Sequence, residues 1–163
     1  MKGKTMPCIT RILCPIDFSE NSLNAFRYAD DFASWVGADL VLLHAFSKPA
    51  SYDSQGQWEP SDTSITTLME DVKSSHDNVS ITRLTHAGEA GEVICWGAED
   101  QACNLIIMGT HGRGGVKRAL LGSIAEHVLR NARCPVMTVR EQKTHVALLP
   151  EPMVMPSTAP PYM

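Results

Sequence analysis

Long apolar runs are missing from this 163-residue chain. A membrane-spanning helix needs roughly 20 consecutive apolar residues. The longest candidates, Leu40–Phe46 and Leu105–Met108, are far shorter, and His44 interrupts the first. No apolar segment follows Lys2 and Lys4, so no secretory leader is expected. Cysteine is sparse and badly placed for bridging. There are five, Cys8, Cys14, Cys95, Cys103 and Cys134, an odd number without one Cys-x-x-Cys pair. Neither a disulfide frame nor a zinc site is expected, and reduced thiols point to a reducing, cytoplasmic compartment. An excess of positive charge is missing too. Fourteen Lys and Arg face 18 Asp and Glu, a net charge of −4, which argues against a general nucleic-acid binder. No internal repeat is visible.

What remains is an ordinary globular composition, 44% hydrophobic and 20% charged, of a length that suits one domain. A chain of this size buries about two thirds of its unfolded surface and needs no staple. The charge is unevenly spread. Residues 109–140 hold six basic side chains (Arg113, Lys117, Arg118, Arg130, Arg133, Arg140) and one acid, Glu126, which gives +5 there and −9 elsewhere. The same stretch opens with five of the 11 glycines: Gly109, Gly112, Gly114, Gly115 and Gly122. Five of the ten prolines lie beyond residue 140. Residues 1–140 therefore read as the domain and 141–163 as a disordered extension, in which only Val146–Leu149 is apolar enough to dock locally.

Within 1–140 the pattern alternates. Short apolar runs at Arg11–Ile16, Asp39–Phe46, Val79–Thr85, Asn104–Met108 and Pro135–Arg140 predict strands. Between them, 3.6-residue spacing predicts helices over Glu20–Val36 (Leu23, Phe26, Ala29, Ala33 and Val36 inward), Ser64–Ser75 (Ile65, Leu68, Met69, Val72), Ala90–Ala102 (Val93, Ile94, Gly97, Ala98) and Ser123–Asn131. A short helix is expected at Val116–Leu121 and a loop over residues 47–63. Such βα alternation implies an α/β fold: an open five-stranded parallel sheet with helices on both faces, of Rossmann-like type. Ligands of such sheets bind beyond the carboxyl ends of the strands, where strand order reverses. Three loops qualify: Pro15–Ser19, the segment from Ala45, and Gly109–Ser123.

The last loop carries most of the chemistry. Gly112, Gly114 and Gly115 permit positive φ and close approach of a ligand to the backbone. Ser123 is an expected N-cap, and Ser123-Ile124-Ala125-Glu126 has the form of a capping box. A helix N-terminus offers unpaired N–H groups and partial positive charge, which suit phosphate. Arg113, Lys117 and Arg118 would add charge-assisted contacts. The loop has neither Gly-Lys-Ser/Thr nor Gly-x-Gly-x-x-Gly. On this physics alone, a surface turn followed by a capped helix is the alternative.

The spacing Gly109-x2-Gly112-x9-Gly122-Ser123 resembles the nucleotide loop of the universal stress protein family. The helix Ile-Ala-Glu-His-Val-Leu and the strand Cys-Pro-Val-Met-Thr-Val that follow it, the opening Arg-Ile-Leu-Cys-Pro-Ile-Asp-Phe-Ser, Leu40–Ala45 with His44, Gly88-Glu-Ala-Gly-Glu-Val-Ile and Asn104–Gly112 resemble the same family, in order, over about residues 8–140. The complete glycine motif points to the ATP-binding branch. The resemblance implies the fold of adenine-nucleotide alpha hydrolases. It places Pro15, Ile16 and Asp17 along the first loop, Asp17 towards the ribose or a phosphate-bound Mg2+ or Mn2+. Ala45 would present backbone to adenine, and Met108 and Gly109 would pack near the sugar and base. Gly112, Arg113, Gly122, Ser123, Ile124 and Ala125 would cradle the phosphates. It also implies a homodimer through the Pro135–Arg140 strand, with Val136 and Val139 near the axis, which covers an otherwise exposed edge.

Other residues carry competing readings. Asp17 as a phospho-acceptor lacks the acidic pair and lysine such a site needs; as a helix cap it is ordinary. His111 has no nucleophile within sequence reach, so it orients the loop and catalysis is not assigned to it. His44 reads as a satisfied core histidine, Trp35 and Trp96 as helix packing residues, and the cysteines as inert. The expected function is nucleotide-dependent stress regulation with at most slow hydrolysis. The rivals are an ATP-consuming hydrolase or transferase, and an interaction module without nucleotide.

Overall fold

A computed structural model describes residues 8–46, 63–111 and 121–140. Five strands, β1 (Arg11–Pro15), β2 (Asp39–Phe46), β3 (Ile81–Ala87), β4 (Leu105–Gly109) and β5 (Val136–Val139), alternate with four helices, α1 (Glu20–Val36), α2 (Thr63–Asp71), α3 (Ala90–Asp100) and α4 (Ser123–Asn131). The sheet order is β3-β2-β1-β4-β5, and every pairing is parallel. The expected α/β architecture is therefore observed. The chain builds outward from β1 to β3, then returns to the other side of β1 for β4 and β5. The order reverses between β1 and β4, so the crevice belongs at the carboxyl ends of those two strands.

The strand sequences explain the layering. Ile12, Leu13, Cys14, Leu40 to Leu43, Ile106 and Ile107 are essentially inaccessible, so the central strands are buried on both faces. Ile12, Cys14, Leu40, Leu42 and Ile107 point towards α1 and α2, and Leu13, Val41, Leu43, Ile106 and Met108 towards α3 and α4. Each fully buried side chain of this kind contributes about 1.5–3 kcal/mol. The glycines of α3 weaken that helix by ~1 kcal/mol each relative to alanine. They remain because a Cβ at Gly91 would lie 2.6 Å from the His127 ring, and one at Gly97 2.8 Å from Leu43.

Helix α1 begins and ends on local chemistry. Ser19 is its N-cap and its Oγ accepts from Ser22 N–H at 3.2 Å. Gly37 closes it in the left-handed region (φ 74°), with its N–H and that of Ala38 on the Ala33 carbonyl. Asp17 is not the cap, contrary to expectation; its Oδ1 accepts from Ser19 N–H (3.0 Å) and from Ser19 Oγ (2.5 Å), so it holds the residue that caps.

Several boundaries differ from the expected ones for identifiable reasons. α2 stops at Asp71 because the buried Asp30 carboxylate takes Ser75 N–H at 2.7 Å and Ser74 Oγ at 2.5 Å. Arg83 of β3 donates to the Met69 and Val72 carbonyls at 2.8 and 2.6 Å, covering the open end of α2. α3 stops at Asp100 because Ala102 turns left-handed (φ 51°) and Cys103 N–H bonds the Ala98 carbonyl. Trp35 and Trp96 are not core residues: Trp35 is 81% exposed and Trp96 47%. Leu68 is likewise outward, at 43%. In β5, Val139 is only 8% exposed, under α1, and Met137 is the outward residue at 41%, so Val139 does not reach an edge interface by its side chain. The expected helix at Val116–Leu121, apart from Leu121, and the extension 141–163 lie outside the described residues.

Burial pushes the Cys14 thiol up from 9.0 to about 12. Below about pH 9 the folded and unfolded chains both keep this proton. Between about 9 and 12 only the unfolded chain loses it, so stability falls as pH rises, by up to ~1.4 kcal/mol per pH unit for this thiol. Urea titrations at pH 9, 10 and 11 should show that Cys14→Ala makes the alkaline decline shallower by about that amount. Parallel declines for the two proteins would contradict this burial-driven shift.

Candidate functional site

The first wall of the crevice is the β1–α1 turn. Pro15 ends β1 opposite Leu43, and Ile16, buried, donates its N–H to the Leu43 carbonyl at 2.8 Å. The chain then leaves the sheet. Asp17 N–H meets Ser22 Oγ at 3.3 Å, and Phe18 adopts φ 62°. A left-handed phenylalanine costs about 1–3 kcal/mol, which its surroundings must offset. His44 supplies part of the support: its ring lies 5.1 Å from that of Phe18, and its Nδ1 lies 2.7 Å from the Ile16 carbonyl. A carbonyl only accepts, so Nδ1 carries the proton. His44 is thus satisfied, as expected, and it also braces the turn that carries Asp17. Ala45 follows it on β2, half-buried, in register with His86 of β3.

The second wall is the end of β4. Met108 is buried towards α3 and α4. Gly109 faces the first turn of α1, where a Cβ would lie 3.1 Å from the Asn21 carbonyl oxygen. Gly109 therefore serves close approach of helix to strand. Beside it, Asn21 Oδ1 is buried and has no hydrogen-bond partner among the described residues. Its only sequence signal is its place in the first turn of α1, too weak to single it out. Thr110, buried, donates its N–H to the Val139 carbonyl at 3.1 Å. His111 Nδ1 lies 3.1 Å from Thr110 Oγ1.

The third wall is the start of α4. Gly122 N–H donates to the Thr110 carbonyl at 2.7 Å, and a Cβ on Gly122 would lie 3.1 Å from that same oxygen. Gly122 has an ordinary φ of −74°, so it too is a glycine of close approach. It is the N-cap of α4, and Ser123 is the first helical residue. The expected capping box does not form: no side chain caps the helix, and Glu126 instead pairs with Arg130 at 2.7 Å one turn on. The first intrahelical bond is Glu126 N–H to the Gly122 carbonyl, so the N–H groups of Ser123, Ile124 and Ala125 precede the ladder. Ser123 is exposed and Ala125 buried. Gly112 and Arg113 lie outside the described residues. Among the described residues, no three His, Cys, Asp or Glu side chains converge on a metal position, and no helix is long and apolar enough to cross a membrane.

The family model for universal stress proteins matches residues 9–140. The chain belongs to the universal stress protein family. Universal stress protein MJ0531 of Methanocaldococcus jannaschii is 31% identical over 146 residues, covering 82% of this chain and 83% of the relative. The solved structure of MJ0577 from the same organism superposes with a TM-score of 0.64 at 26% identity, covering 84% of this chain and 99% of that one. A universal stress protein from Archaeoglobus fulgidus, solved in complex with dAMP, shares the fold at 17% identity with a TM-score of 0.54, covering 82% and 98% of the two chains. This universal stress protein thus has the parallel sheet of its relatives over the whole matched span.

Proposed function

We propose that this universal stress protein binds ATP in the crevice between β1 and β4 and uses it as a signal in stress regulation, with at most slow hydrolysis, in the cytoplasm. The observation that carries the reading is the Gly122–Thr110 hydrogen bond of 2.7 Å. It sets the N-terminus of α4 at the carboxyl end of β4, beside the point where strand order reverses. Three backbone N–H groups and the positive end of a helix dipole then sit where phosphates bind in such sheets. The buried Asn21 oxygen fits a ligand as well, since an unpaired buried acceptor costs about 1–3 kcal/mol that a donor recovers. The dAMP complex of the Archaeoglobus relative supports an adenine nucleotide.

In this reading Ser123, Ile124 and Ala125 hold phosphate oxygens by backbone N–H, and the exposed Ser123 hydroxyl adds a further hydrogen bond to them, together with Gly112 and Arg113. Pro15, Ile16 and Asp17 line the sugar side, Ala45 the base, and Met108 and Gly109 the floor. A divalent ion, Mg2+ or Mn2+, arrives with the phosphates, as such ions commonly do. The domain is residues 1–140.

The cradle predicts two mutational results by calorimetry. Gly122→Val should weaken ATP binding at least tenfold, because its side chain enters the space of the Thr110 carbonyl. Ser123→Ala should weaken it several-fold through the lost hydroxyl. Unchanged affinity in both sinks the cradle.

We also propose a two-fold homodimer in which the outer edges of two β5 strands pair. β5 is the last strand of the sheet, and Met137, the outward residue, replaces Val139 as the side chain near the axis. Sedimentation at micromolar concentration should give a dimer, and Met137→Lys a shift towards monomer. A wild-type monomer contradicts the pairing.

A further inference from the structure

We propose that Cys103 and Cys134 form an oxidation site, which a hydroperoxide closes into an intramolecular disulfide. The site is separate from the nucleotide crevice: the two residues precede β4 and β5, at the amino ends of those strands. All five cysteines are free, but three of them border one layer. Cys95, Cys103 and Cys134 pack at the core between the sheet and helices α3 and α4. Backbone contacts fix their places. Cys103 N–H bonds the Ala98 carbonyl at 2.8 Å, where the chain turns out of α3. Asn104 N–H bonds the Arg11 carbonyl at 3.0 Å, so the next residue already lies against β1. Ile106 stands opposite Val136 of β5, and its N–H bonds the Pro135 carbonyl at 3.0 Å. Two residues back, the same parallel register sets Asn104 beside Cys134. Ideal strand spacing and rise then put the Cys103 and Cys134 Cα atoms about 6 Å apart, within the roughly 4.4–6.8 Å that a disulfide spans. Both side chains turn to the same face of the sheet.

Cys95 is the rival partner. It lies one turn before Glu99 on α3, and Glu99 pairs at 3.2 Å with Arg133, the neighbour of Cys134. Cys103 is preferred because it stands one strand spacing from Cys134 within the sheet. The electrostatics agree that the sulfurs are close. Burial raises the Cys103 thiol to about 11, Arg11 opposes that rise, and the charge of Cys134 adds to it. Burial raises Cys134 too, while its own backbone N–H holds the thiolate and works the other way. Cys134 is half-buried and Cys103 buried, so Cys134 is the sulfur that meets the oxidant. Its thiolate attacks the outer peroxide oxygen, the O–O bond breaks, and the departing alkoxide takes a proton to leave as alcohol. The product is a sulfenic acid. Cys103 gives up its proton and attacks the Cys134 sulfur, the S–O bond breaks, and that proton leaves with the hydroxide as water. Two thiols are oxidised by two electrons and one hydroperoxide is reduced. Because burial keeps both thiols protonated near neutral pH, the step is slow and follows sustained exposure. A dithiol reductant reverses it.

The test treats the reduced full chain with hydrogen peroxide, blocks remaining thiols with N-ethylmaleimide and maps the links by mass spectrometry. Trypsin cuts before Cys134, and Glu-C cuts after Glu99, between Cys95 and Cys103, so the three sulfurs fall in separate peptides. The expected product joins the Cys103 peptide to the Cys134 peptide, in the same yield at 1 and 50 µM protein. Cys95→Ser should leave that yield within twofold, and dithiothreitol should restore both thiols. The linked chain should unfold at a higher urea concentration than the reduced one, because the cross-link restricts the unfolded chain. The mapping of the wild-type chain stands even where a cysteine variant fails to fold. Both sulfurs still alkylated after the exposed Cys8 has been oxidised overturns the proposal. So does a Cys95–Cys134 link, a link found only between chains, or a linked chain with a lower urea midpoint, which would mean that the bond forms only when the fold opens.

Discussion

The hydrogen bond from Gly122 N–H to the Thr110 carbonyl is the contact on which the site depends. It joins the end of β4 to the start of α4, two points separated by eleven residues of sequence. The contact is steric as well as polar, and a second close approach lies beside it. Gly122 cannot carry a Cβ without pressing on the oxygen it bonds, and Gly109 cannot carry one without pressing on the first turn of α1. Three elements, α1, β4 and α4, therefore meet at backbone distance. The sheet explains why they meet there. β1 and β4 are neighbours whose following helices lie on opposite faces, so the space between their carboxyl ends is open by construction.

The supporting contacts are arranged around that opening. His44 braces the Phe18 turn, Asp17 holds the residue that caps α1, and Thr110 ties β4 to β5. On the far side of α1, Asp30 and Arg83 fix the end of α2 with charged groups on backbone partners. Buried charges persist where hydrogen bonds meet them, and Asp30 has two. Of the basic excess of residues 109–140, Arg130 pairs with Glu126 and Arg133 with Glu99.

Much of this was legible in the sequence wherever period and punctuation agreed. Glu20–Val36, Asp39–Phe46 and Ser123–Asn131 carry a clear stripe or apolar run, and their observed limits coincide with the expected ones. Gly37 is a stop whose chemistry is local. The misses are tertiary. Arg83, on a strand and 12 residues beyond the end of α2, covers that helix, and no local pattern shows it. Leu68 is inward by its helical spacing and Trp35 a packing residue by its type, yet both are exposed. At the site, the glycines were legible as a motif, but the close approach that Gly109 and Gly122 serve was not, since it depends on α1 and on the Thr110 carbonyl; Gly112, Gly114 and Gly115 lie outside the described residues. Ser123 was one residue out as a cap because Gly122 takes that conformation. Asn21 was invisible because the burial of its oxygen, which has no partner among the described residues, is a tertiary feature that no local pattern shows.

The most direct measurement is the nucleotide content of the freshly purified protein after denaturation, followed by titration of the emptied protein with ATP. The crevice predicts an adenine nucleotide released at up to about one per chain, and saturable ATP binding at one site once it is removed. A chain that carries no nucleotide and takes up no ATP at millimolar concentration would contradict the assignment of the β1–β4 crevice as a nucleotide site.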